Sequence, residues 1–136
     1  MAGDSLDDAV VAVVLTNAGR ICLLRRSARV EYDRGRWHCV TGYLPRGRDP
    51  LVHALIELRE ETGLLECDLA SIEAGRTLSL VDESGRRWTV FTFRGEVSTA
   101  QIQINWEHDA YIWVTSVEHA ERDVVPWLGN VLEAVA

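Results

Sequence analysis

The stretch GYLPRGRDPLVHALIELREETGL, Gly42 to Leu64, decides how this chain is read, because one segment joins a glycine-bearing loop, a helix start and a cluster of acids. Asp49 suits the N-cap, where a short carboxylate takes up a free N–H of the first turn, and Pro50 suits the first helical position, where no N–H is needed and φ is already set. Gly63 can take the left-handed conformation that closes a helix. The spacing therefore predicts a helix from Pro50 to Thr62. On a helical wheel Leu51, Leu55 and Leu58 form an apolar stripe flanked by Val52 and Ile56, with His53, Glu57, Glu60 and Glu61 opposite. One face is expected to build core and the other to face a site.

Glu57, Glu60 and Glu61 fall on one turn. Residues three and four apart on a helix are neighbours at about 5–6 Å between Cβ atoms, and like charges there cost about 0.2–0.5 kcal/mol per pair. A hard divalent ion such as Mg²⁺, which takes oxygen ligands, turns that cost into a binding site. A charge run is also often no more than a solvated face. The triplet alone leaves both readings open.

The loop in front of the helix separates them. The segment resembles the signature of the Nudix hydrolases: Gly, five residues, Glu, seven residues, then Arg-Glu-aliphatic-any-Glu-Glu-any-Gly-aliphatic. Here the first Gly is Gly42, the aliphatics are Leu58 and Leu64, the later Gly is Gly63, and the helical acids are Glu57, Glu60 and Glu61, so seven of nine defined positions agree. The two departures are Arg48, where the family has Glu, and Ile56, where it has Arg. Both are charged in the family and close to the metal site, so their joint loss leaves neither one unpaired. Arg48 could instead reach an acid of the triplet or a substrate phosphate.

The resemblance implies a Nudix-like α/β/α sandwich with a mixed β-sheet. It also implies a metal-dependent hydrolase that cleaves a diphosphate linkage in a nucleoside diphosphate derivative by water attack on phosphorus. Glu57, Glu60, Glu61 and the Gly42 carbonyl would hold Mg²⁺ or Mn²⁺, and Glu57, Glu60 or Glu107 would serve catalysis. Arg25, Arg26 and Arg48 are the candidates for substrate phosphates. The alternative is a Nudix-fold module without chemistry that binds a nucleotide or a partner protein. Arg48 and Ile56 favour it, whereas three retained, mutually repelling acids favour the enzyme. A third reading is a structural α/β domain in which the acids are decoration.

The remaining sequence sets bounds. A chain of 136 residues suits one domain, 1–136. No apolar run approaches the roughly 18 residues of a membrane span, and an N-terminus with Asp4, Asp7 and Asp8 lacks the basic start of a signal peptide, so a cytoplasmic setting is expected. A net charge of −7 argues against a general nucleic-acid surface, which draws on clustered Lys and Arg. Cys22, Cys39 and Cys67 are odd in number and set among apolar residues, as buried reduced thiols would be.

Ala9 to Thr16 reads as a strand buried on both faces, with Ile21 to Arg26 its hairpin partner across Asn17-Ala18-Gly19. Ser27 to Gly35 is a loop, and Trp37 to Thr41 a short strand entering Gly42. Asp68 to Gly75 is another strand, and Arg76 to Val81 and Arg87 to Phe93 flank a turn at Asp82-Glu83-Ser84-Gly85. Alternation puts Trp88 and Val90 on one face and Phe91 and Phe93 on the other. A strand over Ala110 to Val114 follows an acidic loop whose Glu107, then Asp109, is placed to reach the metal cluster; His108 beside them could tune or bind. Thr115 with Glu118 makes a capping box, and Pro126 opens a closing helix with Leu128, Val131, Leu132 and Val135 on one stripe. Trp37, Trp88, Trp106 and Tyr32 could each stack on a base, though each better suits core or rim. The expected partner is a nucleotide-like small molecule, and the apolar strands leave room for a homodimer.

Overall fold

A computed structural model describes residues 8–136; the acidic lead with Asp4 and Asp7 lies outside them. The order is β1 Asp8–Asn17, β2 Arg20–Arg26, β3 Trp37–His38, β4 Val40–Tyr43, α1 Pro50–Thr62, β5 Leu69–Ala74, β6 Leu78–Val81, β7 Arg87–Val97, β8 His108–Val114 and α2 Leu128–Ala134. One 8-stranded mixed sheet carries the path β3-β2-β1-β7-β5, with β4 on β1, β6 on β7 and β8 on β2. The parallel pair, β1 with β7, runs from Asp8↔Trp88 to Thr16↔Glu96.

The β-branched run of β1 is buried from Val11 to Thr16, as a central strand covered on both faces requires. Its odd residues Val11, Val13 and Leu15 join Cys22, Leu24, Phe93 and the α1 residues Ala54 and Leu58 in one core layer. Ala12 and Val14 join Leu23, Val90, Val114 and the α2 residues Leu128 and Val131 in the other. The helices therefore lie on opposite faces of the sheet, and the α/β/α sandwich with a mixed sheet is the observed architecture.

β1 and β2 pair only beside their turn, at Thr16↔Ile21 and Asn17↔Arg20. Beyond it they part: β4 takes the free edge of β1, and β3 and β8 flank β2. The sheet is split on the side where the site forms.

Several expectations need correction. The wheel put Leu51, Leu55 and Leu58 in the core, yet Leu51 is 38% and Val52 52% exposed, and the buried residues of α1 are His53, Ala54, Leu58, Glu61 and Thr62. Ala54, wholly buried, offers the small surface on which the helix approaches the sheet, and this rotates the acid-bearing side inward. One face of α1 thus serves both core and site. Cys22 and Cys39 are buried but Cys67 is exposed, on the 3₁₀ turn Glu66–Asp68 before β5. The closing helix starts at Leu128, two residues beyond Pro126, because Val125 N–H donates to Trp37 O at 2.9 Å and keeps the chain extended against β3. Thr115 does meet the Glu118 N–H, at 3.4 Å to Oγ1, but the chain then makes only a single 3₁₀ turn, Glu118–Glu121.

Candidate active site

Helix α1 begins as its sequence requires. Asp49 accepts from Val52 N–H at 3.0 Å, Pro50 fills the first turn, and Gly63 ends the helix at φ 75°, its N–H donating to Arg59 O. Asp49 O also accepts from His53 N–H at 3.1 Å. With both ends fixed, the 53-57-61 row, spaced four apart, projects toward the split sheet.

Gly42 lies in β4 opposite Val11, directly under Glu57. A Cβ on Gly42 would stand 2.2 Å from the Glu57 carboxyl carbon, so the position admits no side chain while Glu57 stays where it is. The glycine is needed for close approach, not for an unusual φ, since it is absent from the positive-φ positions. Glu57 is half-buried and Glu61 is 1% exposed, whereas Glu60 faces solvent at the rim. The three acids on one turn therefore grade from interior to surface.

Glu61 reaches across the split. Its Oε1 is 3.8 Å from His108 Nε2 of β8, and its Oε2, though buried, has no hydrogen-bond partner. Burial drives the Glu61 carboxyl well above the usual carboxylate range, and the charges of Glu107 and Glu57 drive it the same way. Burial also raises Glu57; a hydrogen bond from Glu61 and the nearby His53 oppose this, while Glu60 and Glu107 add to it. Burial and the neighbouring acids thus favour the neutral form of Glu61, four residues beyond Glu57 on the same side of the helix.

A β-bulge arranges the far wall. β2 and β8 pair as Arg25↔Ala110 and then Arg26↔His108, so Asp109 is the extra residue. The bulge gives His108 the same face as Arg26, toward Glu61, and turns Asp109 to Arg25, whose Nε it accepts at 2.7 Å. Glu107, just before the bulge, is tied by its N–H to Asn105 Oδ1 at 3.0 Å and by its carbonyl to Ser27 N–H at 2.8 Å. Its charge acts on both Glu57 and Glu61, which places it among the acids. Asp109 stands apart with Arg25.

The arginines divide. Arg25 is held by Asp109 and lies 5.5 Å over the Trp37 ring, whose side chain packs in the α2 layer. Arg26 donates through Nε to Tyr32 O at 2.9 Å, and its charge acts on His38 and His108. Arg48 reaches none of the three helical acids; its Nη1 is 3.3 Å from His53 Nδ1. Of the aromatics, Trp106 is 53% and Tyr32 67% exposed, while Trp37 and Trp88 are half-buried. The Arg29 guanidinium lies 5.6 Å over Trp106.

The helical wheel places His53 on the site face without giving it a role; its Nε2 is 3.0 Å from Glu57 Oε2 but out of line for a hydrogen bond. The signal available was its spacing, four residues before Glu57. Chain topology alone brings in His108.

A family profile described as NUDIX domain matches residues 6–135. The chain belongs to the Nudix family. Among solved structures, a MutT protein from Methanosarcina mazei Go1 is similar at 20% identity, TM-score 0.78, over 93% of this chain and 90% of that one. The NUDIX domain of Shewanella oneidensis NrtR, complexed with ADP ribose, is similar at 17% identity, TM-score 0.78, over 95% and 86%. A C. elegans Ap4A hydrolase is similar at 20% identity, TM-score 0.75, over 93% and 93%. No curated protein sequence matches.

Nudix proteins generally use divalent metals, and the donor set here fits one in kind: hard carboxylate oxygens, one of them buried without a partner. Among the described residues no three His, Cys, Asp or Glu side chains stand grouped so as to hold one ion as they are. Also among them, no helix is long and apolar enough to cross a membrane.

Proposed function

We propose that this Nudix chain is a metal-dependent hydrolase that cleaves a diphosphate linkage in a nucleoside diphosphate derivative, acting on a nucleotide-like small molecule in the cytoplasm. The observation that carries the reading is the buried Glu61 carboxyl, unpartnered at Oε2, on the helix that packs Glu57 against Gly42. A buried carboxylate pair is costly unless a cation or proton accompanies it. A domain that only packed would have no use for the arrangement.

Glu57 and Glu61, with Glu60 and the Gly42 carbonyl, would hold Mg²⁺ or Mn²⁺. When bound, such an ion lowers the pKa of a water and neutralises charge gathering on phosphate oxygens. The acids of α1 supply the negative charge that concentrates the cation, and a bound cation would favour the ionised form of Glu61 against the burial that opposes it. Glu60, exposed at the rim, and Glu107, on the opposite loop, are the acids left to accept a proton from the attacking water. Arg26 faces the side of the sheet that carries the acids and suits a substrate phosphate. Similar structures are named for ADP ribose and Ap4A, both nucleotide-like, which supports the substrate class.

The test is release of phosphate or nucleotide from a panel of nucleoside triphosphates, nucleotide sugars and dinucleotides with Mg²⁺ or Mn²⁺. Turnover is expected with at least one, falling about 100-fold or more in Glu60→Gln or Glu107→Gln, whichever holds the base. Silence across the panel with saturable nucleotide binding would replace the enzyme by a binding module. The two departures from the signature, Arg48 and Ile56, are what favour that second reading.

A further inference from the structure

The Nudix signature does not define residue 53, and this chain puts a buried histidine there, 5% exposed. Its ring touches both a departure from the signature and an acid of the site. Arg48 Nη1 lies 3.3 Å from Nδ1, and Glu57 Oε2 lies 3.0 Å from Nε2. A guanidinium only donates, so Nδ1 is the acceptor and the ring proton sits on Nε2, close to Glu57 as a polar contact that is not aligned as a hydrogen bond. The partners set the tautomer.

The supports of this chain of contacts are local. Arg48 N–H donates to Pro45 O at 3.1 Å, which folds the loop back just before the cap, and Asp49 then fixes the Val52 and His53 N–H groups. The imidazole thus starts from an anchored turn and lies one helical turn before Glu57. On its other side Glu57 rests on Gly42, where even a methyl group would collide with it. Ile56, uncharged and half-buried, offers Arg48 no competing partner.

We infer that Arg48 and His53 form a positioning pair: the Arg48 guanidinium orients the His53 ring, and the ring, in close contact with the Glu57 carboxylate, confines it against Gly42. In this chain the pair takes the place of the charged residues that the signature has at positions 48 and 56. The inference rests on the metal-dependent reading of the site and adds to it which residues hold Glu57. Neither Arg48 nor His53 touches the ion or the reacting atoms in this arrangement. Arg48 acts only through His53.

The experiment measures Mn²⁺ affinity by titration calorimetry and by electron paramagnetic resonance of free Mn²⁺, with melting curves of the metal-free proteins alongside. The samples are wild type, Arg48→Ala, His53→Ala, the double variant and His53→Gln. Arg48→Ala and His53→Ala should each weaken Mn²⁺ by about 10–100-fold, as loss of a group that orients a ligand does. The double variant should be no weaker than His53→Ala, because the two act in series. His53→Gln keeps an N–H to offer and should recover most of the affinity. Arg48 is exposed on a loop, so its variant should melt like wild type and remain informative if His53→Ala fails to fold. Wild-type affinity in Arg48→Ala and in either His53 variant, or losses that multiply in the double variant, would overturn the pair. Wild type that takes up no Mn²⁺, with or without nucleotide, would instead remove the metal-dependent reading itself.

Discussion

Helix α1 buries His53, Ala54, Leu58, Glu61 and Thr62 against its face of the sheet, whereas α2 buries Leu128, Val131 and Ala134 against the other. Both helices close a core layer, and both rest on the same central strand, β1. Only α1 does so with an acid and an imidazole inside the seam. The α2 layer is what packing alone selects. The α1 layer departs from it at positions that also meet Gly42 and His108, and the difference separates residues that packing explains from residues that packing alone does not.

Substitutions can break that contrast. The largest effect expected is on the packing side: Leu128→Ala, at a wholly buried site, should cost about 2–5 kcal/mol in urea unfolding. Mn²⁺ affinity of the folded protein should stay as in wild type, and a loss there would erase the division between the faces. Gly42→Ala should cost about 1–3 kcal/mol through the collision with Glu57. Unlike Leu128→Ala, it should also lower turnover and Mn²⁺ binding, because the acid must move.

The pH dependence has two limbs. Glu61 lies above its ordinary 4.5 in the folded chain, so over that range the folded state binds more protons than the unfolded one and the metal-free protein loses stability as pH rises. Glu61→Gln should flatten this limb, raise the metal-free melting temperature at pH 8, and remove the gain that Mn²⁺ brings. His38 and His108 work in the opposite sense. Burial foremost, with the Arg26 charge, lowers His38 to about 3 and His108 to about 4 from 6.5, so their stabilisation is full above 6.5 and is lost as pH falls below it. The acid limb should persist in Glu61→Gln, and its disappearance there would mean that Glu61 alone governs both.

The smallest effect expected is at Arg25. Its pair with Asp109 is exposed on both sides, so Arg25→Ala should change stability by about 0.2–1 kcal/mol. Its effect on KM should be smaller than that of Arg26→Ala, which removes the guanidinium on the acid side. Equal KM effects would bring Arg25 back to the substrate.

Much of this was legible along the chain. The hairpin at Asn17-Ala18-Gly19, the turn at Asp82 to Gly85 and the strands beside them follow from turn chemistry and alternation. The acid set read from the signature includes the two acids, Glu57 and Glu61, that the fold turns inward, and the charge of Glu107 reaches them from 46 residues beyond Glu61. Glu107 and Asp109 look alike in sequence, two acids of one loop separated by a single residue. A single bulged residue sends them to different partners, and a bulge leaves no local mark in the composition around it.

Helix α1 shows where the boundary falls. Its ends, Pro50 and Thr62, were set by Asp49, Pro50 and Gly63 acting within a few bonds of the backbone groups they cap, so the sequence by itself sufficed. Which side of the helix turned inward was decided only in the folded molecule. That choice depended on β1 and β4 receiving Ala54 and Leu58, on the space left at Gly42, and on His108 arriving from β8. Caps are local chemistry, whereas burial is a property of whatever surface the rest of the chain supplies.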